Sequence, residues 1–259
     1  MRKFSLILAA AVVAVALVSC GGSTPPPAPT GYAPGQTAVA YAYVHGGYVG
    51  EAVVTTGEGG TISVRLDEAF LPHTLARVSL DAAEWNEDNT VYYVQRGNEV
   101  RVAKYISYAG KNYVGTTVGG SATYVEADDS GNPAGTLDLE LIILRNQFTM
   151  RDYFDNLRAG EFAVHTEFGG TAMPVTTTSF GSLFKRGSNY WPQGIGWQGN
   201  IEAVEAAIVQ HGLGFKLDQM VRGNDNRWRL ADAVTGATLS DFVDYFGLAQ
   251  AAAGRLRME

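Results

Sequence analysis

Tyr48-Val49-Gly50-Glu51-Ala52-Val53-Val54-Thr55-Thr56 runs into Gly57 to Gly60 and then Thr61-Ile62-Ser63-Val64-Arg65-Leu66. Apolar and polar residues alternate on both arms, and glycines join them. That pattern is a half-buried strand, a tight turn and an answering strand, and so a β-hairpin. From Val39 to about Val125 the strand-like pattern continues. Val91 to Gln95 and Val100 to Tyr108 form a second candidate hairpin around Arg96-Gly97-Asn98-Glu99, and a third extended stretch runs from Asn112 to Val125. Tyr48-Val49-Gly50 recurs as Tyr113-Val114-Gly115, too short a match to establish a repeat. Asp128 to Pro133 is a turn without the downstream acid of an EF-hand loop. Leu137 to Leu144 fits a strand or the start of a helix, and Met150 to Leu157 a short helix ending at Gly160. Towards the C-terminus Asn200 is placed to cap a helix over Ile201 to Gln210 that stops at Gly212. A last helix spans about Asp241 to Ala253, with Phe242, Tyr245, Phe246 and Ala249 at helical spacing. Antiparallel hairpins in the N-terminal half with helices concentrated towards the C-terminus predict a single α+β domain over residues 38–259.

The chain of 259 residues carries 19 Lys+Arg against 26 Asp+Glu, a net charge of −7 that argues against a nucleic-acid binder. Its hydrophobic fraction of 46% suffices for a core. A single cysteine excludes an intrachain disulfide framework and a four-thiolate metal site. Residues 1–19 read as a secretory signal: Arg2 and Lys3 are a basic start, and Leu6 to Val18 is an apolar run too short to span a membrane comfortably. Leu17-Val18-Ser19-Cys20 resembles the lipobox of bacterial lipoproteins. The resemblance implies a lipidated Cys20 (palmitate-type acylation) at the start of the mature chain, and an extracytoplasmic protein anchored on the periplasmic or surface side. Residues 20–37 include Pro25-Pro26-Pro27-Ala28-Pro29 and favour an extended, semi-rigid tether.

Asp232-Ala233-Val234-Thr235-Gly236-Ala237-Thr238 matches every defined position of D-x-x-[S/T]-G-A-[T/S]. It resembles the motif of the FMN-binding domain family, whose members carry FMN in phosphoester linkage to the last hydroxyl. The resemblance implies a separate flavin transferase that donates FMN from FAD to Thr238, with Asp232 assisting the transfer. Trp228 upstream and Phe242 to Tyr245 downstream are also similar to the family, as, more loosely, are the hairpin around Gly47 to Glu51 and Ile62 to Val64. Residues of about 75–185 match nothing in it. Chemically, Thr238 supplies the hydroxyl that the transfer needs, while Gly236 and Ala237 leave room for a phosphate near the backbone. The expected function is a membrane-tethered electron carrier with unidentified redox donor and acceptor. The competing reading is a non-redox ligand-binding or envelope-structural lipoprotein in which Thr238-Leu239-Ser240-Asp241 merely caps the last helix.

Gly194-Ile195-Gly196-Trp197-Gln198-Gly199 fits G-x-G-x-x-G, but no buried strand precedes it, so it is not a dinucleotide site. Tyr190, Trp191 and Trp197 around it either stack on an isoalloxazine ring or pack the core. His45, His73, His165 and His211 show no metal-ligand spacing, and no G-x-S-x-G is present. Neither a metal site nor a catalytic constellation is expected.

Overall fold

The computed structural model describes residues 31–45, 47–214, 216–225, 227–230, 233–234 and 243–258. The readings made on residues 1–19, Cys20, Asp232, Thr235, Gly236, Ala237 and Thr238 lie outside these residues.

The opening hairpin is present and gains a third strand. β1 (Thr37–Val44), β2 (Tyr48–Thr56) and β3 (Ile62–Phe70) form an antiparallel sheet in that order, with Tyr48 opposite Phe70 and Thr55 opposite Ser63. Residues 31–37, the end of the stretch read as a tether, run beside the chain's last residues: Tyr32 bridges to Met258, and the Ala33 N–H donates to the Arg257 carbonyl.

A short helix, α1 (Pro72–Leu75), leads to the hairpin of β4 (Thr90–Gln95) and β5 (Asn98–Ala103). The run read as one strand from Val100 to Tyr108 breaks at Lys104. β6 (Tyr105–Tyr108) belongs instead to a five-stranded antiparallel sheet with β7 (Lys111–Val118), β8 (Ser121–Glu126), β9 (Phe162–His165) and β10 (Met173–Pro174), in the order β10-β9-β6-β7-β8.

The ambiguous run after Leu137 resolves as α2 (Leu139–Ile143), because the Asp138 carboxylate caps it by accepting the Glu140 N–H. α3 (Gln147–Arg158) begins in a reciprocal box between Asn146 and Thr149. It buries Met150, Tyr153, Phe154 and Leu157 at helical spacing. α4 (Gly196–His211) starts earlier than expected. Asn200 is not its cap: it lies inside the helix, 1% exposed, and donates to the Gly196 carbonyl at 2.7 Å. β11 (Met220–Arg222), β12 (Trp228–Leu230) and β13 (Ala233–Val234) form a small antiparallel sheet, and α5 (Val243–Ala253) follows.

Two apolar cores meet on the β1–β3 sheet. One face carries Ala40, Ala52, Val54 and Leu66 against Ile201 and Val204 of α4 and Phe246 and Ala249 of α5. The other core gathers Val49, Ala69 and Phe70 with α3 and the five-stranded sheet. Gly50 permits the first contact, since a Cβ there would lie 2.9 Å from a Leu248 methyl. The fold is α+β, with antiparallel sheets mostly in the first half and α4 and α5 towards the C-terminus. Among the described residues no helix is long and apolar enough to cross a membrane.

Candidate functional site

A strand buried on both faces has nowhere wet to put a charge, yet β2 and β3 carry three buried carboxylates. Glu51 is 2% exposed, Asp67 4% and Glu68 0%. Asp67 and Glu68 are consecutive, so they face opposite sides of the sheet. Each side has built its own set of partners.

On the α3 side Arg158 grips Glu51 with both guanidinium arms, Nη1 to Oε2 at 3.0 Å and Nη2 to Oε1 at 2.6 Å. The Tyr41 hydroxyl donates to Oε2 at 2.8 Å. Burial and then the Glu51 charge push the Tyr41 phenol far above its ordinary value. Asp67 accepts the backbone N–H groups of Glu68 and Arg186, yet burial still holds its carboxyl above the usual range. These are charge-assisted bonds that tie α3 and the 183–186 segment to the sheet.

On the α4 and α5 side lies the more concentrated site. Residues 183–186 run along the open edge of β3: Phe70 N–H donates to the Leu183 carbonyl at 3.3 Å and Lys185 N–H to the Glu68 carbonyl at 2.8 Å. That pairing delivers the Lys185 ammonium to Glu68 Oε2, where the two form an ion pair. The ammonium lies 3.3 Å from the Tyr48 ring centroid, 4.5 Å from that of Tyr190 and 5.8 Å from that of Trp197, a three-sided aromatic box. The Tyr48 and Tyr190 hydroxyls hydrogen-bond to each other. Trp197 Nε1 donates to the Tyr245 hydroxyl at 3.2 Å, which locks the first turn of α4 onto α5.

His45 closes the cluster. It sits in the turn after β1 at φ 51°, a conformation unusual for a side-chain-bearing residue. Its Nε2 is 3.1 Å from Glu68 Oε1 and its Nδ1 3.7 Å from Asp244 Oδ2, while its ring packs on Tyr245. Burial pushes the Glu68 carboxyl up, but the Lys185 ammonium and His45 pull harder, so it rests below the ordinary value. Burial, reinforced by Tyr190, drives the Tyr48 phenol far up. The imidazole thus stands between a dry carboxylate and a surface one.

Beside this cluster a groove of about 240 Å³ runs between β1 and α5. Tyr43, Val44, Leu217, Val243, Gly247 and Leu248 line it, and Asp244 joins it to His45. Tyr43 is 48% exposed at its rim.

Of the residues singled out in the sequence, Tyr190 and Trp197 come together around Lys185. Trp197 is buried, whereas Trp191 lies on the surface and offers its carbonyl to the Trp197 N–H at 3.0 Å. Asp232, Thr235, Gly236, Ala237, Thr238 and Cys20 lie outside the described residues. His45, Tyr48, Glu68, Lys185 and Asp244 escaped the sequence reading. The available signal was Asp67-Glu68 set in an otherwise strand-like run. His73 meets Glu140 at 2.7 Å, and His165 is bonded through both ring nitrogens. Among the described residues no group of three or more His, Cys, Asp or Glu side chains could hold a metal ion. No protein-family model, curated protein or solved structure matches the chain.

Proposed function

We propose that the protein is a membrane-tethered, extracytoplasmic electron carrier with one FMN joined by a phosphoester to Thr238. The observation that carries this reading is the complete Asp232 to Thr238 motif. Two features of the described residues support it. Val243 follows Thr238 by five residues, at most about 18 Å of extended chain, and begins the helix that walls the groove. The groove's aliphatic lining and its one exposed phenol suit a flat, largely apolar ring better than a charged metabolite.

FMN would supply the redox chemistry, and the chain its attachment and its electrostatic setting. Without a thiol beyond Cys20, the polypeptide has no dithiol chemistry of its own. Export also favours a covalent link, because outside the cytoplasm a dissociated cofactor is lost to dilution. The leader and Cys20 support a lipid anchor, and the proline-rich stretch before β1 a spacer from the membrane. The flavin transferase, a redox donor and a redox acceptor are the partners this reading requires.

Intact-mass measurement after co-expression with a flavin transferase tests it. One FMN is expected on the native chain and none on Thr238→Ala. A colourless protein with unmodified Thr238 under those conditions refutes the proposal and favours the helix-capping role for the motif.

A further inference from the structure

The five-stranded sheet turns Ile106, Tyr108, Tyr113, Phe162 and Val164 into the core. Its other face therefore carries Tyr105 and Ser107 of β6, Asn112 and Val114 of β7, and Ala163 and His165 of β9. On that face the Ser107 hydroxyl lies 2.9 Å from His165 Nε2, and the Gly170 carbonyl lies 3.0 Å from Nδ1. A carbonyl only accepts, so Nδ1 carries the proton. Nε2 of the neutral ring is then a lone pair aimed at the serine O–H. This is a nucleophile, a base and a group that orients the base.

The surroundings hold that geometry. Phe168, two residues before Gly170, packs edge-on to Tyr105 and against Gly131, where a Cβ would come within 2.6 Å of the ring. The loop bearing the orienting carbonyl is thereby clamped. Ala163, directly opposite Ser107, places only a methyl group beside the hydroxyl. Asn112, opposite it on the other flank, is exposed and shares the face, where its amide can donate to a developing oxyanion.

We propose that Ser107 is a nucleophile activated by His165 towards small uncharged acyl esters. A neutral carbonyl behind the imidazole stabilises the imidazolium less than a carboxylate does, which suits esters rather than amides. Ser107 Oγ bonds to the acyl carbon as its proton passes to Nε2. The ester C–O bond breaks and the departing alcohol takes that proton. Water, deprotonated by the same nitrogen, then releases the carboxylic acid and restores the serine. None of this depends on the flavin.

The test is reaction of the full-length chain with a fluorophosphonate probe, followed by peptide mapping. Ser107 is expected to react at least tenfold faster than the exposed Ser79 and Ser130, and His165→Gln to slow it at least tenfold at unchanged melting temperature. Ser107 reacting no faster than those serines in the native chain overturns the proposal, whether or not any variant folds. A rate insensitive to His165→Gln in a folded protein overturns it as well.

Discussion

Replacing Lys185 by Met leaves Glu68, with 0% exposure, without its ammonium partner in the core. Breaking a buried pair from one side costs about 3–5 kcal/mol. For a chain of this size each kcal/mol moves the melting temperature by about 2–4 °C, so a drop of about 6–20 °C is expected. Part of that loss is the cation's contact with the Tyr48 ring, worth about 2 kcal/mol where water is excluded. The double variant Lys185→Met with Glu68→Gln removes both charges and should recover all but that part. The pH dependence carries the sign. In the native protein the Glu68 carboxyl lies below the ordinary value of 4.5. Its stabilisation is therefore present above that value and is lost as pH falls through the lower, folded one. Without Lys185, burial dominates and the carboxyl moves up. The variant then gains stability as acid protonates Glu68, and its deficit against the native chain narrows between neutral pH and about pH 5. Thermal melts of the three proteins at both pH values measure this. A deficit identical at the two pH values, or a double variant no more stable than the single, would refute the reasoning and assign the energy to the aromatic box alone.

Gly50→Ala should destabilise, although alanine normally suits a strand better. The new methyl meets Leu248 at 2.9 Å and Val44 at 3.0 Å, and the overpacking should cost about 1–3 kcal/mol, read as a lower urea midpoint at unchanged slope. Burial pushes the Tyr108 phenol up to about 12. Native stability should accordingly decline as pH climbs from 10 towards 12, and Tyr108→Phe should flatten that decline in alkaline denaturation curves.

Local pattern was enough for the first hairpin and for the body of α3, because alternation, glycine turns and helical spacing act within a few residues. The Asn146 cap, by contrast, sets the start of α3 at Gln147, three residues before the expected Met150. Local pattern failed where the decision was made at a distance. Val100 to Tyr108 places an apolar residue at every second position except Lys104, yet its two halves pair with different strands, β4 and β9, and one polar residue in the pattern does not say which partner each half takes. α4 begins at Gly196 because the Trp197 N–H is satisfied by Trp191 and its indole by Tyr245, not because a capping residue announces it. The same limit governed the site. Tyr190 and Trp197 stood out as an aromatic loop. Their occupant, Lys185, is defined by Glu68, 117 positions earlier in the chain, and no periodicity records that pairing.

The strap that brings Lys185 to Glu68 also shields an edge. β3 would otherwise offer a row of unpaired backbone groups to any extended chain, and residues 183–186 cover part of it. On the opposite margin the C-terminal segment does the same for β1 and the residues before it: Arg255 bonds the Val39 carbonyl, and Arg257 and Met258 pair with Ala33 and Tyr32. The first sheet to leave the ribosome is thus guarded on both margins by residues made much later. Through synthesis, and through any passage across a membrane, the β3 margin stays adhesive until residues 183–186 arrive, and the β1 margin until residues 255–258 do.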